Sequence, residues 1–71
     1  MVLDFETVLK NGQFYEKIPM ESLELDLIVS SISTAREIRF NTIEEDTSEH
    51  IDAIITFLIV AYNSLVANGY Q

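Results

Sequence analysis

Apolar residues recur along this chain mainly at helical spacing. Leu25, Ile28, Val29, Ile32 and Ala35 follow an i, i+3, i+4, i+7, i+10 series, which places them on one helical face. Leu23, Leu25, Leu27 and Val29 also alternate as in a strand, so residues 20–40 fit two templates. Two features favour the helix. Pro19 stands where a first helical position would be, with Glu21 in the first turn. The segment is also rich in Leu, Glu, Met, Ala and Arg, which lose little freedom in a helix. Met20, Leu23, Leu27 and Ile38 form a second apolar stripe, so this helix calls for cover on two sides. Farther on, Ile51, Ile54, Ile55, Leu58, Tyr62 and Leu65 predict another helix, ending near Asn68 with Gly69 as its stop. Phe57 and Val60 fall on other faces of that helix.

The chain-breaking residues agree with this reading. Gly occurs only at positions 12 and 69 and Pro only at 19, so the 49 residues from Met20 to Asn68 contain neither. Sheets need turn residues more often than that. The connection between the two helices is expected within 40–47. There Asn41 or Thr42 can cap a helix, with Glu44 or Glu45 three residues on, and Asp46 with Glu49 makes a second capping pair. The first 19 residues admit two readings. Lys10-Asn11-Gly12-Gln13 fits a hairpin turn. The same letters fit a helix capped by Asp4 and ending at Asn11, with a left-handed Gly12 and an apolar face of Phe5, Val8 and Leu9. The helix is favoured, because a lone two-stranded hairpin is marginal in water.

The expected fold is therefore all-α and a single domain over residues 1–71. A short N-terminal helix or hairpin precedes an antiparallel pair of longer helices, completed by dimerisation. The last helix carries more apolar faces than one partner helix covers, which makes Phe57 and Val60 the expected oligomer interface of a homodimer.

Composition narrows the function. Twelve acidic residues against four basic ones give a net charge of −8. That sign disfavours nucleic acid and anionic membranes, where phosphate attraction supplies much of the affinity. A hydrophobic content of 48% excludes a disordered acidic tail. Without Cys there is no disulfide or thiolate metal site, and with His50 as the one His, zinc sites needing several His or Cys ligands are out. No nucleophile elbow, phosphate-cradling Gly loop or dinucleotide fingerprint is present. The most apolar run, 53–67, contains Thr56, Asn63 and Ser64 and is shorter than the roughly 20 residues of a membrane span. The first residues lack the basic and apolar regions of a signal peptide, so a cytoplasmic location is expected.

The acidic residues gather in two groups: Glu21, Glu24 and Asp26, then Glu44, Glu45, Asp46, Glu49 and Asp52. Both fall at predicted helix starts, where the macrodipole favours negative charge. An acidic domain of this size suits binding to a basic protein surface. The leading expectation is a small protein-interaction module, for example an inhibitor of a basic or nucleic-acid-binding partner, with Glu44, Glu45, Asp46 and Glu49 as partner-binding residues and no catalytic residue or cofactor.

A second reading comes from spacing. Glu21-Ser22-Leu23-Glu24 and Glu49-His50-Ile51-Asp52 each place two carboxylates on one helical face. Four such carboxylates on facing helices would make an oxygen site suited to Mg²⁺. This layout resembles the MazG-like all-α nucleoside triphosphate pyrophosphohydrolases over residues 20–65, including Glu24-Leu25 and the apolar continuation from Asp52 to Leu58. The resemblance implies a Mg²⁺-dependent pyrophosphohydrolase working as a homo-oligomer, with Glu21, Glu24, Glu49 and Asp52 as metal ligands and Arg36 and Arg39 near the phosphates.

Overall fold

Asp4 turns the extended N-terminus into a helix. Its backbone is still in the β region, and its Oδ1 accepts the Thr7 amide at 2.7 Å. One of the amides left unpaired at a helix start is thereby satisfied. In the computed structural model, which describes residues 2–18 and 22–69, this first helix α1 spans Phe5–Lys10. A single 3₁₀ turn follows over Phe14–Lys17. The N-terminal segment is thus the helix of the two readings and not the hairpin.

Gly12 does not take the left-handed conformation expected of it; the one positive φ among the described residues is at Gly69. Its surroundings are tight for another reason. The Arg36 guanidinium lies against it, and a Cβ would sit 3.1 Å from Nη1. Asn11 ends α1 instead, its amide donating to the Thr7 carbonyl and its Oδ1 accepting the Gln13 amide at 3.0 Å.

Two long antiparallel helices follow, α2 over Leu23–Phe40 and α3 over Glu45–Ala67. Ser22 caps α2, its Oγ accepting the Leu25 amide. The start foreseen at Pro19 and Met20 lies outside the described residues. Asn41 and Thr42, foreseen as caps of the last helix, finish α2 instead. Their side chains donate to the Glu37 and Ile38 carbonyls at 3.0 and 2.7 Å. Glu44 then occupies the cap position of α3, and Gly69 closes it with φ of 91°. No strand occurs among the described residues.

The core lies where residues 2–18 cross one face of the α2–α3 pair. Leu3, Val8, Phe14 and Ile18 pack with Leu25, Val29 and Ile32 of α2 and Ile51, Ile55, Ile59 and Tyr62 of α3. The first predicted stripe of α2 is therefore the core stripe. Polar contacts fix the same layer. Asn63 pairs both amide atoms with the Leu3 backbone, accepting from N at 2.9 Å and donating to O at 2.8 Å. Arg36 donates to the carbonyls of Val8 at 2.8 Å and Leu9 at 3.0 Å, two groups the end of α1 leaves open.

Candidate functional site

Among the described residues, nothing covers the opposite face of the pair. Asn63, which holds Leu3, lies nine residues after Ile54, so at about 100° per residue the two side chains leave α3 on opposite sides. Ile54 borders a groove of about 400 Å³ between α2 and α3. Ser30, Ser31 and Thr34 of α2 form a low, hydroxyl-bearing wall, while Ile38, Ile51 and Leu58 make the groove apolar. Of the second predicted stripe of α2, Ile38 lines this groove, Leu23 and Leu27 fall on the same side of the helix by their spacing, and Met20 lies outside the described residues. Leu23, Leu27 and Ile38 stay exposed, as do Ile54 and Phe57 of α3. Phe57 stands one turn beyond Ile54 at the rim. Val60 is also exposed but lies about 120° round the helix from Ile54, away from the groove.

The chain is acidic at its hairpin tip. Glu44, Glu45, Asp46 and Glu49 are all exposed around the first turns of α3. Glu44 accepts from the Thr47 hydroxyl at 2.7 Å, and His50 Nδ1 donates to the Asp46 carbonyl at 2.8 Å. The ion pairs among the described residues are Lys10–Glu6 and Arg39–Asp52, so none of these four acids has a basic partner there. Ile43 precedes them in the loop with its whole surface in water. An apolar side chain thus stands bare beside four carboxylates with no ion-pair partner among the described residues, a feature the sequence reading did not pick out. Its signal was legible: a lone Ile between helix-ending residues and an acidic run.

Among the described residues, Glu24 of the Glu-x-x-Glu pair is not brought to the Glu-x-x-Asp pair. Glu21 lies outside the described residues. Glu24 sits in the first turn of α2, bonded to Ser22 Oγ at 2.9 Å. Asp52 accepts from Arg39 near the other end of α2. Fifteen residues of helix separate Glu24 from Arg39, about 22 Å of rise. Among the described residues no group of three or more His, Asp or Glu side chains stands close enough to hold a metal ion. Arg36 and Arg39 are occupied too, one by the α1 carbonyls and the other by Asp52.

At 23 residues α3 is longer than the apolar run inside it, and by length and composition alone it could cross a membrane. Its core stripe packs against α2 and residues 2–18. Compared with protein-family models, curated proteins and solved structures, the chain matches none.

Proposed function

We propose that this chain is a small acidic protein-interaction module that works as a cytoplasmic homodimer and presents its hairpin tip to a basic protein surface. The supporting observation is the tip itself, where Ile43 is fully exposed beside Glu44, Glu45, Asp46 and Glu49. Free carboxylates steer a basic partner and set orientation, while an apolar residue that loses its water on contact supplies binding energy. An inhibitor of a basic or nucleic-acid-binding protein would use such a tip. The Mg²⁺-dependent pyrophosphohydrolase reading lacks comparable support within one chain, because Glu24 stands at the far pole from Glu49 and Asp52.

The test is affinity capture from cells of the native host at low and high salt. Wild type is set beside a variant with Glu44, Glu45 and Glu49 changed to Gln and Asp46 to Asn. A partner of basic isoelectric point, retained by wild type, lost with the neutral tip and released by salt, is the expected result. Equal retention by both proteins removes the reading. Calorimetry with Mg²⁺ and a nucleoside triphosphate is expected to show no binding heat.

A further inference from the structure

The open groove and the Phe57 rim form a self-complementary face, and we propose that a second copy of this chain occupies it with the two-fold axis running along the helices. This rests on the homodimeric reading and assigns its surface and register. Area is the first argument. Leu23, Leu27, Ile38, Ile54 and Phe57 are 79, 68, 52, 54 and 73% exposed. At roughly 180–200 Å² per fully exposed residue they present about 600 Å² on one side, the upper end of what a monomer's largest patch shows. A stable pairing needs about 800 Å² per partner; the apolar patch supplies roughly three quarters of that, and the hydroxyl wall of Ser30, Ser31 and Thr34 beside it adds to the face.

Register is the second argument. Arg39 pairs with Asp52 across the antiparallel helices. Five residues back along α2 is Thr34, and five residues forward along α3 is Phe57, so the two stand at one level. Each copy therefore carries, at mid-length, a protruding ring on α3 and a low wall of Ser30, Ser31 and Thr34 on α2. An axis along the helices lays α3 of one copy over α2 of the other at unchanged height, and both rings enter both notches. An axis across the helices lays α3 over α3, so the rings collide and the notches face each other around a void. Close packing selects the first arrangement.

That register has a consequence for the tip. Both 41–44 loops come to one pole, which joins two acidic clusters and two copies of Ile43 into one bivalent surface. The clusters stay exposed, and separations beyond a Debye length of about 8 Å are screened, so their repulsion does not oppose the packing strongly.

Because the chain has no Cys, a single spin label can be placed at Glu45→Cys. Sedimentation is expected to show a dimer, and dipolar spectroscopy a label separation of about 20–30 Å, as expected for neighbouring helices in a bundle with axes 8–10 Å apart. A separation near or above the 38 Å length of the molecule would overturn the register while leaving the homodimer standing. A monomer at tens of micromolar would overturn the occupancy altogether, without touching capture of a basic partner by the tip. Phe57→Ala is expected to weaken the dimer at least 30-fold, the loss typical of a central aromatic anchor. Val60→Ala, off the groove, should leave dissociation unchanged, and both variants should keep wild-type helicity when dilute. Equal weakening by the two would also overturn the register.

Discussion

The two faces of the α2–α3 pair are built from similar apolar side chains and end in opposite states. On one face, Val29, Ile32, Ile55 and Tyr62 lie under residues 2–18. On the other, Leu27, Ile38, Ile54 and Phe57 meet water. Hydrophobicity does not separate the two sets. What separates them is that Arg36 and Asn63 reach out on the covered side and hold backbone groups of the N-terminal segment. A short segment such as α1, six residues long, has too little helix of its own to be stable. It persists because its carbonyls and its Leu3 backbone have partners on the long helices. The open face has hydroxyls in place of such anchors, and none of the described residues returns to it.

The contrast can be broken most strongly in the core. Ile55→Ala, at a fully buried position, is expected to cost about 2–5 kcal/mol through lost burial and an unfilled cavity. That is a large part of the total stability of so small a domain. Leu27→Ala, equally apolar but exposed, is expected to change monomer stability by less than about 0.5 kcal/mol. Urea unfolding at sub-micromolar concentration compares the two without interference from association. Similar losses for both would show that the open face is covered within the monomer.

The anchors come next. Arg36→Ala removes two charge-assisted bonds to α1 carbonyls that are themselves partly buried, an expected loss of about 2–3 kcal/mol. Arg36→Lys should recover little of it, because one ammonium lacks the planar fork that serves both oxygens. Hydrogen exchange reads this locally: protection should fall at residues 5–11 far more than along α3. Uniform loss of protection would mean that α1 and the pair unfold as one unit.

Much of this fold was legible in the chain, and the misses have a common cause. Both α2 stripes and the α3 stripe were visible as periodicity, because spacing alone decides which side chains share a face. What each face meets is a long-range matter. Gly12 read locally as a left-handed helix stop, yet it has no positive φ, and the group packed against it is the guanidinium of Arg36, 24 residues away in sequence. Arg36 itself entered only as a phosphate contact implied by the resemblance, because its α1 partners lie 27 and 28 residues away. Asn41 and Thr42 can serve the helix before or after them, and only the tight loop to Glu44 decides for the first. The four-carboxylate idea could have been checked by counting. Glu24 is 17 residues before Asn41, whereas Glu49 is five after Glu44, and antiparallel helices bring together only residues equally far from their loop.

Tyr62 gives a pH handle on the covered face. Burial raises its phenol above the ordinary value of 10.0. The folded state therefore holds the proton to higher pH than the unfolded chain does. Its contribution is complete below pH 10 and is lost as pH rises through the folded value. Urea midpoints at pH 9 and 11 should fall further for wild type than for Tyr62→Phe. Parallel declines would place the alkaline sensitivity elsewhere.

The smallest expected effect is at Asp4, where the covering segment begins. The Thr7 amide and then its hydroxyl hold this carboxyl below its ordinary value of 3.8, so the ionised form caps α1 better than the acid does. With the folded value depressed, the cap is complete above the unfolded value and is lost as pH falls through the folded one. A global melt cannot isolate this, because twelve carboxyls titrate together and the net charge of −8 disappears with them. The Thr7 amide, 2.7 Å from Oδ1, can. Its proton resonance in wild type should move upfield with a midpoint below 3.8. Asp4→Asn keeps an equally good cap without a titrating group, so α1 should persist and the midpoint vanish. Asp4→Ala should loosen α1 at every pH. A Thr7 titration that survives Asp4→Asn would assign the sensitivity to another carboxyl, with Glu6 the neighbour to replace next.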